Sequence, residues 1–314
     1  MNIDKKIALR LDYRFWAKWG IVVAIFIFLG KTVWENWALV KEASFTFRIL
    51  PLFSATFLFA LSYFIQIWAW YLITVKLNVA ISYRETLIIW FFSQLGKYLP
   101  GKVWLLLSRF YLYESKGKSK NEIMISLYFE TMTMVVAAGL LFLASLLFSR
   151  NLHSTYSGFV YGGAILLFLV TFFLLHPKVL LKIFNPLLVF LKRDPISISL
   201  SYSDVLWILG VCVLCWIVGG IGFSLFIHSV FTISSESFLF LTGALAISST
   251  LGLLALFAPS GLGVREGVLV YLLSSIMPTS VAVILSVLTR LWMTLIEIGL
   301  IGVVYLLNKF RKKE

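Results

Sequence analysis

Charged residues are scarce in this sequence. Asp, Glu, Lys and Arg together make up 13% of the 314 residues, whereas 61% are hydrophobic. The mean hydropathy is accordingly high, at +0.96. A soluble globular chain carries roughly 25% charged residues, so the shortage of charge excludes a soluble core protein. The apolar residues are gathered into runs long enough to cross a bilayer, which needs about 20 residues per helix.

Cysteine and histidine are scarcer still, with two and three residues respectively. Cys212 and Cys215 form a CxxC pattern inside an apolar run, and no second pair of cysteines or histidines lies nearby. A structural zinc site needs about four ligands, and a redox-active thiol must be exposed. We therefore interpret both cysteines as packing residues and expect neither a metal nor a cofactor. A Gly-x-x-x-x-Gly-Lys-Ser/Thr loop is also missing, so direct use of ATP is not expected.

Acidic residues number 14 against 27 basic ones, which gives a net charge of +13. The basic residues lie in the tails and short loops and not in a folded soluble domain, so we expect no nucleic-acid partner. The positive-inside rule places such residues in the cytoplasm and predicts that both termini are cytoplasmic. The basic residues of the tails include Lys5, Lys6, Arg10, Arg14, Lys18, Lys309, Arg311, Lys312 and Lys313.

The apolar runs predict an all-α polytopic membrane protein with about six spanning helices. A shorter apolar stretch with lysines at both ends is too short to span, and it predicts a cytoplasmic interfacial helix over 178–192. The whole chain, 1–314, is then a single transmembrane domain. The spanning helices are predicted at about 15–37, 50–75, 123–149, 156–176, 204–231 and 280–307.

Two further hydrophobic segments are interrupted by Pro and Gly. The first covers 86–111 and is broken between 94 and 104; the second covers 238–277 and is broken between 258 and 267. The backbone groups that such breaks leave unpaired must be buried in protein or face water. Each arm of the first segment has about 12 residues, or about 18 Å of helix, which predicts a re-entrant hairpin. The longer arms of the second segment leave both a hairpin and two full spans open.

The order of these elements predicts an inverted repeat. If both broken segments are hairpins, 15–149 and 156–307 each contain two spans, a hairpin and one further span. Because three spans is an odd number, the two halves have opposite orientations. In transporters of this kind, broken segments in corresponding positions mark the binding site.

Ionisable residues at predicted membrane depth are candidates for that site. Each costs about 2.5–3.5 kcal/mol on insertion scales, so it persists where it is paired or faces a polar cavity. Glu130 and Glu297 follow the two hairpins in matching positions, and we predict that they pair with Arg265 or Lys102. The alternative is that Lys97, Lys102 and Arg109 snorkel to the interface and that Glu130 is shallow. The candidate substrate-binding residues are Lys97, Pro100, Gly101, Lys102, Trp104, Arg109, Glu130, Pro259, Gly261, Gly263, Arg265, Glu266, Arg290 and Glu297.

Two other features bear on the site. The helix N-termini that follow the two breaks would direct N–H groups and positive dipole ends at one locus, which suits a phosphate. Most of the tryptophans are interpreted as residues of the interfacial belt; the set includes Trp34, Trp37, Trp68, Trp70, Trp90, Trp207 and Trp216. Trp104 directly follows the first break and is instead a site candidate.

The motifs at both breaks resemble those of a known family. Pro259-Ser-Gly-Leu-Gly-Val-Arg-Glu-Gly267 resembles the Pro-Gly-Gly-Leu-Gly-x-Arg-Glu pattern of the lysylphosphatidylglycerol synthase transmembrane-region family, with Ser260 where Gly is common. Gly96-Lys-Tyr-Leu-Pro-Gly-Lys-Val-Trp104 resembles a looser motif of its stand-alone bacterial and archaeal members. The resemblance covers nearly the whole chain. By analogy it gives roles to Pro100, Gly101, Glu130, Pro259, Gly261, Gly263, Arg265 and Glu266.

The resemblance implies a multi-pass protein of the plasma (inner) membrane of a bacterium or archaeon. Such a protein moves lipids between leaflets or assists synthesis of lipid-linked glycans during cell envelope biogenesis. The family's best-known members join this region to a soluble aminoacyl-transferase domain, which we do not expect in a chain that ends in a short basic tail at Glu314.

The leading hypothesis is a non-enzymatic flippase for an anionic lipid, either a phospholipid or a polyprenyl-phosphate-linked sugar. Transport would run downhill or couple to an ion through Glu130 and Glu297. The alternatives are a membrane-embedded glycosyltransferase and an accessory subunit in lipid-linked glycan synthesis. A glycosyltransferase needs catalytic and metal-binding carboxylates, and the loops assigned outside offer only Glu35, Glu42 and Glu236, singly spaced. The expected partners are membrane lipids, a second copy of the chain or enzymes of envelope biosynthesis.

Overall fold

All regular secondary structure in the computed structural model is helical within the residues that it describes, as the predicted fold class requires. These residues are 31, 34, 47–98, 103–148, 158–190, 200–231, 237–255, 258 and 261–311. Numbered from residue 47 onward, the helices are α1 (Ile49–Lys76), α2 (Tyr83–Gln94), α3 (Val103–Glu114), α4 (Lys120–Phe148), α5 (Gly158–Leu174), α6 (Pro177–Phe190), α7 (Tyr202–Val230), α8 (Phe238–Leu254), α9 (Val264–Leu273) and α10 (Thr279–Arg311).

Four of these helices, α1, α4, α7 and α10, are long and apolar enough to cross a membrane. They coincide with the spans predicted at 50–75, 123–149, 204–231 and 280–307. Helix α5 lies where the span 156–176 was predicted, and its 17 residues measure about 26 Å. Of the predicted span 15–37, Lys31 and Trp34 are described and both are helical; its other residues lie outside the described part of the chain.

Helix α6 lies where the interfacial helix 178–192 was predicted. Its Lys178 and Lys182 are exposed, as a helix lying on an anionic membrane surface would require. Its position at the cytoplasmic surface stays a prediction.

The first broken segment consists of two short helices that pack against each other. Helices α2 and α3 have 12 residues each, about 18 Å, so neither crosses a hydrocarbon core of about 30 Å. A 3-10 turn, Leu95–Tyr98, leads out of α2. A Cβ atom on Gly96 would lie 2.7 Å from backbone atoms of Trp104 and Leu105. The start of α3 therefore lies directly against this turn, and only glycine leaves room for that approach.

The second broken segment pairs α8, of 17 residues, with α9, of only 10. Helix α9 measures about 15 Å, half of the hydrocarbon core, so it cannot be a full span. The two helices also pack against each other. Of the two arrangements that the sequence left open, the length of α9 favours a hairpin, and its insertion in the membrane stays a prediction.

The long helices pack closely through small residues. Helices α1 and α7 lie side by side, and a Cβ atom on Gly222 of α7 would be 3.3 Å from the carbonyl oxygen of Ala55. On the neighbouring face, a Cβ atom on Gly220 would overlap Thr242 of α8. In lipid there is no hydrophobic driving force between helices, so close backbone approach of this kind supplies the packing energy.

The described helices follow the same order twice. Helices α1–α4 form a long helix, a broken pair and a long helix, and helices α7–α10 repeat that order. We call these sets the first half and the second half. Their opposite orientation in the membrane, and with it the inverted repeat, stays a prediction.

Candidate functional site

The last helix, α10, contacts both broken segments. Its Arg290 forms an ion pair with Glu266 of α9, and its Glu297 forms an ion pair with Lys97 in the turn after α2. Arg290 and Glu297 are seven residues apart, which corresponds to two helical turns or about 10 Å along the axis. Both side chains therefore project from the same face of α10. The structure thus brings the two breaks to one stretch of a single helix.

Arg109 and Glu130 form the most completely buried of these ion pairs. The Arg109 side chain is 1% exposed, and it donates from Nη1 to Glu130 and from Nε to Ser93 Oγ at 3.1 Å. Trp90 Nε1 donates to the second carboxylate oxygen at 3.1 Å. The guanidinium also lies over the rings of Trp70 and Trp90, at 4.9 and 5.4 Å from their centroids. Both oxygens of Glu130 are therefore satisfied inside the protein.

This cluster corrects two interpretations made from the sequence. Arg109 does not snorkel to the interface, because it is enclosed by α2, α3 and α4. Trp70 and Trp90 are not belt residues, since both are buried and both indole N–H groups have acceptors inside the protein. Trp70 donates to the hydroxyl of Tyr113 at 2.8 Å, in the same cluster. Trp207, by contrast, is 65% exposed, as a belt residue should be.

Glu266 has two partners at the start of α9. One oxygen accepts from Arg290, and the other accepts from the backbone N–H of Gly263 at 2.8 Å, which caps the helix. The chain reaches this point through Gly261 and Gly263, whose φ angles of 70° and 81° are favourable only for glycine. Because Glu266 itself accepts from the helix start, that N-terminus already holds a carboxylate, and its attraction for a further anion is reduced.

Arg265 points away from its neighbour Glu266, as adjacent residues on a helix should. Its Nη2 lies 3.1 Å from the Sδ atom of Met293 on α10. Its Cβ packs against Gly252 of α8, where an added methyl group would lie 2.9 Å away. Arg265 of α9 therefore contacts both the other arm of the second hairpin, α8, and the long helix α10.

Lys97 and Glu297 form a pair of a different kind. The Lys97 side chain is 27% exposed, whereas that of Glu297 is 2% exposed. Lys97 Nζ donates to Oε2 of Glu297, and the hydroxyl of Tyr63 on α1 donates to the same oxygen at 3.4 Å. The other oxygen, Oε1, is buried and has no hydrogen-bond partner among the described residues. Most buried carboxylate oxygens are hydrogen-bonded, so Oε1 distinguishes Glu297 from Glu130 and Glu266, whose oxygens both accept hydrogen bonds.

The three pairs follow a pattern across the two halves. In the first half, Arg109 on the second arm of the hairpin pairs with Glu130 on the next long helix. In the second half, Glu266 on the second arm pairs with Arg290 on the next long helix, with the signs of charge reversed. The third pair, Lys97 with Glu297, joins the first half to the second.

Trp104 lies at the start of α3, against the turn that carries Lys97, and is 49% exposed. It is therefore accessible at the mouth of the first break, as a site candidate should be. Pro100, Gly101, Lys102 and Pro259 lie outside the described residues.

The partners of the two matching acids differ from those predicted. Glu130 pairs with Arg109 and Glu297 with Lys97, where the sequence suggested Arg265 or Lys102. The sequence did not show which base would pair with which acid, because the pairing depends on how the broken segments pack against the long helices.

Several site residues were not identified from the sequence. They are Tyr63, Trp90 and Ser93, each of which has one polar group in an apolar helix and resembles an ordinary packing residue. Trp90 and Ser93 are three residues apart on α2, one turn before Lys97, so a polar stripe at helical spacing was available as a signal. No such signal marks Tyr63, which reaches Glu297 from a distant part of the chain.

Fold and site together define a polytopic helical membrane protein with two broken helical segments whose charged residues converge on one long helix. The family model of the lysylphosphatidylglycerol synthase transmembrane region matches residues 15–302, and the chain belongs to this family. The family predicted from the two motifs is thereby confirmed. It is a membrane domain linked to lipid or flippase function. Neither the curated proteins nor the solved structures yielded a match.

Proposed function

We propose that this protein is a flippase that moves an anionic lipid between membrane leaflets and binds the headgroup phosphate at Lys97. The observation that carries the proposal is the ion pair of Lys97 with Glu297. It places a partly exposed ammonium group at the first break, against a buried carboxylate of the other half. Family membership supports lipid handling in general, and the site supports a phosphate as the recognised group.

The surroundings of Lys97 suit a lipid better than a soluble anion. Trp104, Leu107 and Tyr111 on α3 are all exposed, and they extend along the arm that follows the break. An aromatic and aliphatic strip of this kind accommodates acyl or prenyl chains, while the phosphate remains at the ammonium group. We propose either a phospholipid or a polyprenyl-phosphate-linked sugar as the substrate.

A glycosyltransferase remains the alternative activity. The acids in the loops assigned outside, Glu35, Glu42 and Glu236, lie outside the described residues. The buried acids of the site are each held by a base, which favours positioning and charge compensation over general acid–base chemistry at a sugar.

Translocation in proteoliposomes tests the proposal. Purified protein is reconstituted with trace labelled phosphatidylglycerol, phosphatidate or a short polyprenyl-phosphate sugar, and the labelled lipid reaching the outer leaflet is quantified by a membrane-impermeant reagent. Lys97→Gln is compared with Lys116→Gln, a matched change because Lys116 forms an exposed pair with Glu85. Lys97→Gln combined with Glu297→Gln removes both charges and separates loss of transport from loss of folding.

Transport of one lipid class by the native protein and by Lys116→Gln, with loss in both Lys97 variants, is the expected result. Transport by every variant would contradict a role for Lys97. Absence of transport for all lipids, with sugar transfer detected on the same substrates, would replace the flippase with the glycosyltransferase. Absence of both activities would favour the accessory subunit.

A further inference from the structure

We propose that Glu297 is the exchangeable carboxylate of the site: an incoming lipid phosphate takes Lys97 from it, and Glu297 then takes up a proton. The inference deepens the proposed function and rests on it, since it names the coupling ion of the same site. It assigns different roles to the three ion pairs, of which one exchanges partners and two hold the hairpins in place.

The hydrogen bonding of the carboxylates distinguishes the pairs. Both oxygens of Glu130 accept from donors, and so do both oxygens of Glu266. Glu297 has two donors on Oε2, while Oε1 is buried without a hydrogen-bond partner among the described residues. An oxygen in that position is where a proton on the carboxyl group can reside without displacing an existing hydrogen bond.

The exposure of the basic side chains also distinguishes the Lys97–Glu297 pair from the other two ion pairs. The side chain of Lys97 is 27% exposed, compared with 1% for Arg109 and 5% for Arg290. Arg109 is further held between two indole rings and by Ser93. A phosphate can therefore approach Lys97 without dismantling a packed cluster. An ammonium group binds phosphate as a compact point charge with three donors, so it can turn from the carboxylate to the phosphate.

A proton is needed because Glu297 stays buried when Lys97 turns away. A buried carboxylate without a counter-charge is so unfavourable that the group becomes neutral instead. In the proposed step, the ammonium group keeps its protons and pairs with the lipid phosphate. The Glu297 carboxylate gains one proton from the water that reaches Lys97, and no covalent bond of the lipid changes.

Among the described residues, Lys97 is the base that pairs with Glu297, and Arg265 of α9 contacts Met293, one helical turn before Glu297 on α10. Tyr63 faces Glu297 from α1 as a neutral donor, and Arg290, two turns away on α10, is held by Glu266 of α9. Arg109 pairs with Glu130 inside the first half, and further charged groups lie in contacts towards the helix ends. These contacts are Arg84 with Asn308, Glu85 with Lys116, Lys76 with Asp204, and Arg48 with His228.

The exchange also has a mechanical consequence. Lys97 belongs to the first half and Glu297 to the second, so substrate binding replaces an ionic contact between the halves by a contact to the lipid. The other two pairs lie within their halves and are unaffected. Occupation of the site would thus loosen the two halves relative to each other while each remains intact.

Isothermal titration calorimetry on the full chain in nanodiscs tests the exchange directly. Dihexanoyl phosphatidate, dihexanoyl phosphatidylglycerol and inorganic phosphate are titrated separately. Protons are counted with phosphatidylglycerol, a phosphodiester that exchanges no proton of its own near neutral pH, by repeating its titration in buffers of different ionisation enthalpy. The variants are Glu297→Gln and Glu85→Gln. The second is a matched control because it makes the same chemical change at an exposed carboxylate that pairs with Lys116, away from the site.

The native protein and Glu85→Gln should take up about one proton per phosphatidylglycerol bound and bind this lipid more tightly as the pH falls, because protonation of Glu297 frees Lys97. Glu297→Gln should take up none, bind roughly 5- to 150-fold more tightly at high pH and lose the pH dependence. Inorganic phosphate binding as tightly as the lipids would identify the free anion as the ligand class and overturn the lipid assignment.

Two results would overturn the exchange itself: phosphatidylglycerol binding by the native protein without proton uptake, or equal uptake by Glu297→Gln. Failure of all three probes to bind at millimolar concentration would also overturn it. These outcomes are separable from those of the translocation assay. Lipid transport without proton uptake would support the proposed function and contradict the exchange. Proton-linked anion binding without lipid transport would support the exchange and contradict the proposed function.

Discussion

Arg109 and Glu130 show how single residues carry charge inside this membrane protein. Bringing two ions out of water is unfavourable, and their attraction offsets that loss only if the remaining donors and acceptors are also satisfied. Here Ser93 and Trp90 complete the hydrogen bonding. Such a pair adds little net stability compared with apolar residues of the same size, but removing one member leaves the other buried and unpaired.

Glu130→Gln should therefore destabilise the protein by about 3–5 kcal/mol, because the Arg109 charge would remain buried without its counter-ion. The free energy of unfolding in mixed micelles, followed by tryptophan fluorescence, is the measurement. Glu85→Gln is the control, since that pair is exposed and contributes at most about 1 kcal/mol. Combining Glu130→Gln with Arg109→Met should recover part of the loss. Equal stability of the two Gln variants would contradict the structural role of Glu130.

At the scale of elements, the two hairpins depend on glycine at their turns. Gly261→Ala should destabilise the second hairpin, because φ is 70° and a Cβ atom would lie 2.7 Å from the carbonyl oxygen of Gly252. Gly267→Ala, in the helix that follows, meets nothing within 4 Å and should be neutral or stabilising by about 1 kcal/mol. Thermal unfolding midpoints measure both. A Gly261→Ala protein with the same unfolding midpoint as the native protein would contradict the described conformation of the turn.

The first hairpin makes a prediction about accessibility. If it enters from the cytoplasm and turns back, Leu95→Cys should not react with a membrane-impermeant maleimide added outside, whereas His153→Cys, in a loop assigned outside, should. The native chain can serve as the background because Cys212 and Cys215 are buried. Lys118→Cys, in the loop after the hairpin, should react only in inside-out vesicles. Labelling of Leu95→Cys from outside would indicate that the segment crosses the membrane.

At the scale of the whole molecule, helices α1 and α7 hold the two halves together. Gly222→Leu should separate them, because the added side chain would meet the backbone of Ala55 and the side chains of Leu58 and Phe59. Size-exclusion chromatography in detergent should show a loss of the monodisperse peak. Gly210→Leu, at an exposed position of the same helix, is the control and should leave the peak unchanged. Identical profiles for the two variants would contradict the described packing.

The spans and the breaks could be predicted from the sequence because both are local properties. Apolar length fixes which helices can cross, and Pro and Gly mark where a helix must stop, so α1, α4, α7 and α10 appeared near their predicted positions. The second hairpin was harder to predict. Its longer arms left two full spans open, and only the structure shows that α9 begins at Val264 and is 10 residues long.

The sequence by itself determined that this is a polytopic helical membrane protein, that it belongs to its family, and that charged residues cluster at two breaks. Those features follow from composition and from short motifs. Only the tertiary structure decided which charges meet. Lys97 and Glu297 are 200 residues apart, and neither helical spacing nor hydropathy relates them. Their contact depends on how α10 crosses both hairpins, and that crossing also leaves Oε1 of Glu297 buried without a hydrogen-bond partner among the described residues.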